Sequence, residues 1–126
     1  MSNTTNNLID RRGKKYDIHQ RIYNFIVRVI KLVNSLPKTP SNLVIIGQIL
    51  RSVTSMGAND QEADGTLTKR DFTHCYTILR KEGKETNFWL SLIADTNFAF
   101  RTQTLEILRE GQEIVAIVSS IINKTK

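Results

Sequence analysis

Between Phe72 and Ile93, the residues Phe72, Tyr76, Leu79, Gly83, Thr86, Leu90 and Ile93 follow one another at alternating intervals of four and three. That spacing keeps one stripe of side chains on one side of an α-helix, so the segment must lie lengthwise against other helices. No interval-of-two alternation competes with it, so a strand is excluded here. The stripe is uneven. Large side chains fill its ends, while its waist is Gly83 and Thr86, flanked by Glu82, Lys84 and Glu85 and followed by the single tryptophan, Trp89. A small waist in a long helix marks either a site or a close approach of a second helix.

The rest of the chain supplies partners for that helix. A first helix is expected from Asp17, where Asp17 and Gln20 have the form of a cap with a reciprocal partner. Ile18, Ile22, Phe25, Ile26, Val29, Ile30, Val33 and Leu36 form its buried stripe, and Pro37 and Pro40 stop it. A second helix opens at Thr39-Pro40-Ser41-Asn42, where Thr39 or Ser41 can cap. It continues through Leu43–Ile46, Ile49, Leu50, Val53 and Met56, and Gly47, Thr54, Gly57 and Ala58 recur near one side. It ends in acid at Asp60, Glu62 and Asp64, with Gly65 as its stop. The third helix starts at Thr68, capped three residues before Asp71. A fourth carries the seam Leu105, Leu108, Gln112, Val115, Ser119 and Ile122, widened by Ile107, Ile114, Ile117, Val118 and Ile121. Short connections make neighbours antiparallel. The fold expected is all-α: an up-down-up-down four-helix bundle over residues 16–126, behind a frayed basic tail over residues 1–15.

A chain of 126 residues forms one domain of this kind, and its charge then bears on partners. Eighteen basic against twelve acidic residues leave +6, a balance that favours polyanions. Candidate nucleic-acid contacts fall in three groups. Arg11, Arg12, Lys14 and Lys15 end the tail; Arg21, Arg28 and Lys31 continue a stripe from Lys14 along the first helix; Arg80, Lys81 and Lys84 cluster at the waist of the third. Few aromatics interleave with them, so sequence-indifferent RNA or DNA binding with a marked salt slope is expected, not base reading. The lone Cys75 excludes an internal disulfide and reads as a buried thiol in a reducing compartment. The amino terminus lacks an apolar signal core, and no run reaches the ~18 apolar residues of a membrane span. A cytoplasmic protein without a membrane partner is expected.

Catalytic and metal chemistry find little support in the residues. A carboxylate-bridged di-metal bundle needs two Glu-x-x-His pairs, whereas His74 has only Asp71 at that offset and His19 has Tyr16. Glu82 and Glu85 could form an acid/base pair, but no histidine, nucleophile or phosphate-binding glycine loop backs them. Arg51, Arg80, Lys81 and Lys84 offer them charge partners instead. No catalytic residue, metal ligand or cofactor is assigned.

Three stretches carry a specific resemblance. They are Pro37-Lys38-Thr39-Pro40-Ser41-Asn42; Leu50 to Asn59 with Glu62-Ala63; and Lys69 to His74 leading to Lys81-Glu82-Gly83-Lys84-Glu85-Thr86-Asn87-Phe88-Trp89-Leu90. In that order the chain, over about residues 16–124, resembles the four helix bundle protein family, also called the intervening-sequence protein of 23S ribosomal RNA. The resemblance implies a bundle assembling into a ring-like homopentamer, with no enzymatic activity. Some members' genes lie in intervening sequences of bacterial ribosomal RNA genes. A distant branch resembles the accessory variability protein of diversity-generating retroelements, a basic pentamer that binds a reverse transcriptase and nucleic acid. Two roles are therefore expected as alternatives: an oligomeric RNA-binding protein, or an accessory subunit docking a reverse transcriptase or ribonucleoprotein. The chain departs from the family pattern at Gly83, where Ala is usual, at Val53, where Gly is common, and at Asp60, where an aromatic is common.

Overall fold

The structure, a computed structural model, describes residues 7–9 and 15–125. Four helices dominate it: α1 (Ile18–Ser35), α2 (Pro40–Asp64), α3 (Lys69–Thr96) and α4 (Arg101–Thr125). Their ends carry the expected chemistry. Asp17 accepts the His19 amide at 2.9 Å, Thr39 accepts that of Asn42 at 3.2 Å, and Thr68 accepts that of Asp71 at 3.0 Å. Gln20 does not reach back to Asp17; its amide donates to Asn24 at 2.9 Å. Lys38 covers the carbonyl end of α1, its Nζ 2.7 Å from the Leu36 carbonyl. A 3-10 turn at Phe98–Phe100 joins α3 to α4.

Each helix packs on its chain neighbours, and α1 packs on α4, consistent with an up-down bundle in which α1 and α3 lie across the diagonal. The α3 seam is buried from Tyr76 through Leu79, Gly83, Thr86, Leu90 and Ile93, with Phe72 half-buried and stacked on Tyr76. In α1, Ile18, Ile22, Phe25, Val29, Leu32 and Val33 face inward, and Leu36 is buried just past its end. Each such side chain contributes about 1.5–3 kcal/mol on burial, which offsets the ordering of the chain.

The α4 seam is rotated from its expected register. Thr104, Ile107, Leu108, Gly111, Ile114, Val118 and Ile122 are buried, whereas Leu105 and Gln112 face outward. Gly111 lies on the inward face beside Ile107, Ile114 and Val118. A Cβ there would lie 2.9 Å from Phe25 Cζ and would also meet Asn87 Oδ1, so only a glycine lets α4 close on α1 and α3. The rotation buries Thr104, whose hydroxyl has no hydrogen-bond partner.

The waist of α3 is a close approach. Ser52 Oγ and Thr86 Oγ1 lie 2.7 Å apart, both fully buried. Ser52 donates to the Ile49 carbonyl at 3.2 Å, which leaves its oxygen to accept from Thr86. A Cβ on Gly83 would sit 2.9 Å from Val115 Cγ2 and 3.3 Å from Met56 Cε.

At the end of the bundle holding the α1–α2 connection, Asn42 and Asn97 exchange side-chain amide bonds of 2.8 and 3.1 Å. Asn42 also donates to the Pro37 carbonyl at 2.9 Å, and Asn97 to that of Ile93 at 3.2 Å. At the opposite end, where a tail without regular structure was expected, two short strands, β1 (Asn7–Ile9) and β2 (Lys15–Asp17), pair antiparallel with Leu8 opposite Tyr16.

Candidate nucleic-acid interface

The candidate cations separate by what surrounds them. Arg11, Arg12 and Lys14 lie outside the described residues, and Lys15 is placed only as backbone of β2. On α1, Arg28 and Lys31 are exposed. Arg21, of the same stripe, points to α4 instead. Its Nε donates to Glu110 Oε2 at 2.9 Å, and its Nη2 donates to Glu110 Oε1 at 2.6 Å and Glu113 Oε1 at 2.8 Å. The bonds from Glu110 hold its guanidinium pKa above the ordinary arginine value, against the opposing effect of burial.

On α3, Lys81 and Lys84 are exposed and Arg80 is half-buried. Because α1 and α3 are diagonal, the fold does not join the Arg28–Lys31 and Lys81–Lys84 groups into one patch on a single chain. Lys81 and Lys84 belong instead to a solvent-facing stripe of α3, Arg70, His74, Thr77, Lys81, Lys84 and Phe88, opposite the buried seam.

The two waist carboxylates share one cation from α2. Arg51 Nη1 lies 3.4 Å from Glu82 Oε1, and its Nη2 pairs with Glu85. The Trp89 indole donates to Glu85 at 3.1 Å, and this bond, followed by that of Arg51, lowers the Glu85 pKa below the ordinary glutamate value. Of the charge partners the sequence offers, Arg51 makes these α2–α3 ion pairs.

One polar group was missed by sequence reasoning. Asp60 is 2 % exposed, yet accepts from Tyr76 at 2.6 Å and lies 2.8 Å from His19 Nδ1. Its acid neighbours Glu62 and Asp64 made it look like part of a solvated helix end. The available signal was register, since Asp60 continues the seam Ile49, Val53, Met56 and a carboxylate at such a position needs donors. Burial, and then the negative charge of Asp60, raise the Tyr76 pKa above the ordinary tyrosine value. The cluster ties α1, α2 and α3 together. His74 and Asp71, the only pair near a metal motif, are both exposed on α3. No group of three or more ligating side chains occurs among the described residues. Nor does any helix among them have the length and apolarity to cross a membrane.

An antiparallel bundle closed by small waist residues and a buried carboxylate, with unpaired cations outside, defines the structural class. The chain belongs to the 23S rRNA-intervening sequence protein family, whose model matches residues 14–120. It is similar to a crystal structure of a protein with unknown function from the S23 ribosomal protein family of Bacteroides thetaiotaomicron. The two share 35 % identity at a TM-score of 0.76, over 84 % of this chain and 95 % of that chain. A comparison with curated proteins found no match.

Proposed function

We propose that this chain is a non-enzymatic, self-associating bundle that binds RNA through exposed cations, without reading sequence. The observation that carries this reading is the segregation of charge. Glu82, Glu85, Asp95, Glu110 and Glu113 are each tied to an arginine of the bundle, and Asp60 is buried. The exposed carboxylates Glu62, Asp64 and Asp71 gather around the α2–α3 connection, and Glu106 lies on α4, on other elements than Arg28 and Lys31 and away from Lys81 and Lys84 in α3. Arg28, Lys31, Lys81 and Lys84, by contrast, are exposed and make no ion pair among the described residues. A phosphate backbone is the partner that a surface of unpaired cations on a chain of charge +6 favours. Arg21 is left out of the contact set because Glu110 and Glu113 already occupy its donors. Self-association, as a ring of five in the resemblance, would repeat the two separate basic corners around an axis.

The test is a fluorescence anisotropy titration of a labelled RNA against the full chain at several salt concentrations. Binding that weakens steeply with salt is expected, and no binding at low salt overturns the reading. Light scattering checks self-association, and a monomer at micromolar concentration removes the ring. A second reading is favoured by Leu43 and Val44, which are 55 % and 65 % exposed at the start of α2. Such side chains suit an apolar protein contact, and an accessory role docking a protein such as a reverse transcriptase would use them. Pull-down with the proteins encoded beside this gene tests that role.

A further inference from the structure

The solvent-facing stripe of α3 ends in an aromatic. Phe88 is 56 % exposed and follows Lys84 by one helical turn and Lys81 by two. Its ring stands edge-on to Trp89, with centroids 5.0 Å apart and an interplanar angle of 70°. Trp89 is itself held by its bond to Glu85, and Glu85 by Arg51. The ring is therefore braced from one side while much of it faces water. Resting on the RNA-binding reading above, we propose that Phe88 is a stacking platform for an unpaired base, with Lys84 and Lys81 holding the adjoining phosphates. The polyanion preferred by this face is thus a single strand and not a duplex.

Two considerations favour this occupant. A duplex hides the faces of its bases inside the stack, whereas an unpaired base offers a face to any exposed aromatic ring. The spacing also suits one strand, since Lys84 and Phe88 are separated by about 6 Å along the helix and Lys81 and Lys84 by about 4.5 Å. A protein partner is less well matched, because lysines such as Lys81 and Lys84 are depleted from protein–protein interfaces. The nearest carboxylate in sequence, Glu85, shares Arg51 with Glu82 and also lies in the field of Lys81, so with Lys84 the cations around Phe88 outnumber the carboxylates.

The experiment compares a labelled single-stranded RNA with an RNA duplex of equal length, using the full chain and the variants Phe88→Leu, Phe88→Tyr and Lys84→Gln. Phe88→Leu keeps an apolar side chain but removes the ring. It should weaken single-strand binding about tenfold and leave duplex binding unchanged. Phe88→Tyr should retain affinity, and Lys84→Gln should lower the salt slope for both RNAs. Trp89, the only tryptophan, should report the single strand by a fluorescence change that Phe88→Leu abolishes. Single-strand binding that is indifferent to Phe88→Leu overturns this proposal while leaving RNA binding standing. Absence of binding to either RNA overturns both readings. A change of oligomeric mass in Phe88→Leu without loss of RNA affinity makes the ring a subunit contact and also overturns the proposal.

Discussion

Tyr76 donates its phenolic hydrogen to Asp60 across 2.6 Å, with both side chains sealed in the core. The carboxylate has the His19 imidazole as its other near neighbour, so three helices depend on one buried acid. Removing the phenolic oxygen by Tyr76→Phe leaves the ring packing intact but deprives Asp60 of a donor. The expected cost is about 1–3 kcal/mol in chemical denaturation. The raised pKa of Tyr76 adds a pH signature. Its contribution is complete below the unfolded tyrosine value and is lost as pH rises beyond it. Wild-type stability should therefore fall above about pH 10, and Tyr76→Phe should flatten that fall.

Glycines on the bundle should respond in opposite directions. Gly111→Ala places a methyl against the fully buried Phe25 ring and the Asn87 amide, and should destabilise by about 1–3 kcal/mol. Gly47 is exposed on α2 and has nothing within 4 Å of its would-be Cβ. Gly47→Ala gains helix propensity without a clash and should stabilise by about 0.5–1 kcal/mol. Thermal melts of the two variants beside wild type distinguish packing from propensity.

Acid should act at the waist. Glu85 is held ionised by Trp89 and Arg51, so its contribution is present above the unfolded glutamate value and is lost as pH falls through the lower folded one. Trp89 emission followed downward from about pH 5 should change as Glu85 protonates and the indole loses its charged acceptor. In Glu85→Gln the same titration should be flat.

The Ser52–Thr86 bond predicts an asymmetry between single and double substitutions. Thr86→Val removes one hydroxyl and leaves Ser52 with only its bond to the Ile49 carbonyl, at a cost of about 1 kcal/mol. Adding Ser52→Ala removes the remaining polar group. The double variant should then lose less than the sum of the singles, because the two sites couple directly. A double-mutant cycle by urea denaturation measures that coupling.

The α3 seam could be read from spacing because its large side chains and its small waist lie on one face. The α4 seam was harder. Heptad spacing favours Leu105 and Gln112, but the helix faces Gly111 to Phe25 and buries Thr104, whose hydroxyl has no hydrogen-bond partner. A glycine's close neighbours lie far away in sequence, so pattern alone does not reveal them. The same holds for Arg21, whose partners on α4 are set by the register between the first and last helices. Asp60 shows the converse case. Its position on the α2 seam was visible, but its acidic neighbours disguised it. The exposed cations Lys81 and Lys84 followed from the seam, since residues opposite a buried stripe must face water.

The reciprocal bonds of Asn42 and Asn97 link the two connections at one end of the bundle, so the two should open as a single unit. Fraying the α1–α2 turn strips Asn97 of its amide partner, and unwinding the end of α3 does the same to Asn42. In native-state hydrogen exchange, amides of these segments should share one opening free energy, and Asn97→Ala should lower protection on both sides. The pair thus sets the size of a cooperative unit, joining turns 55 positions apart in the chain.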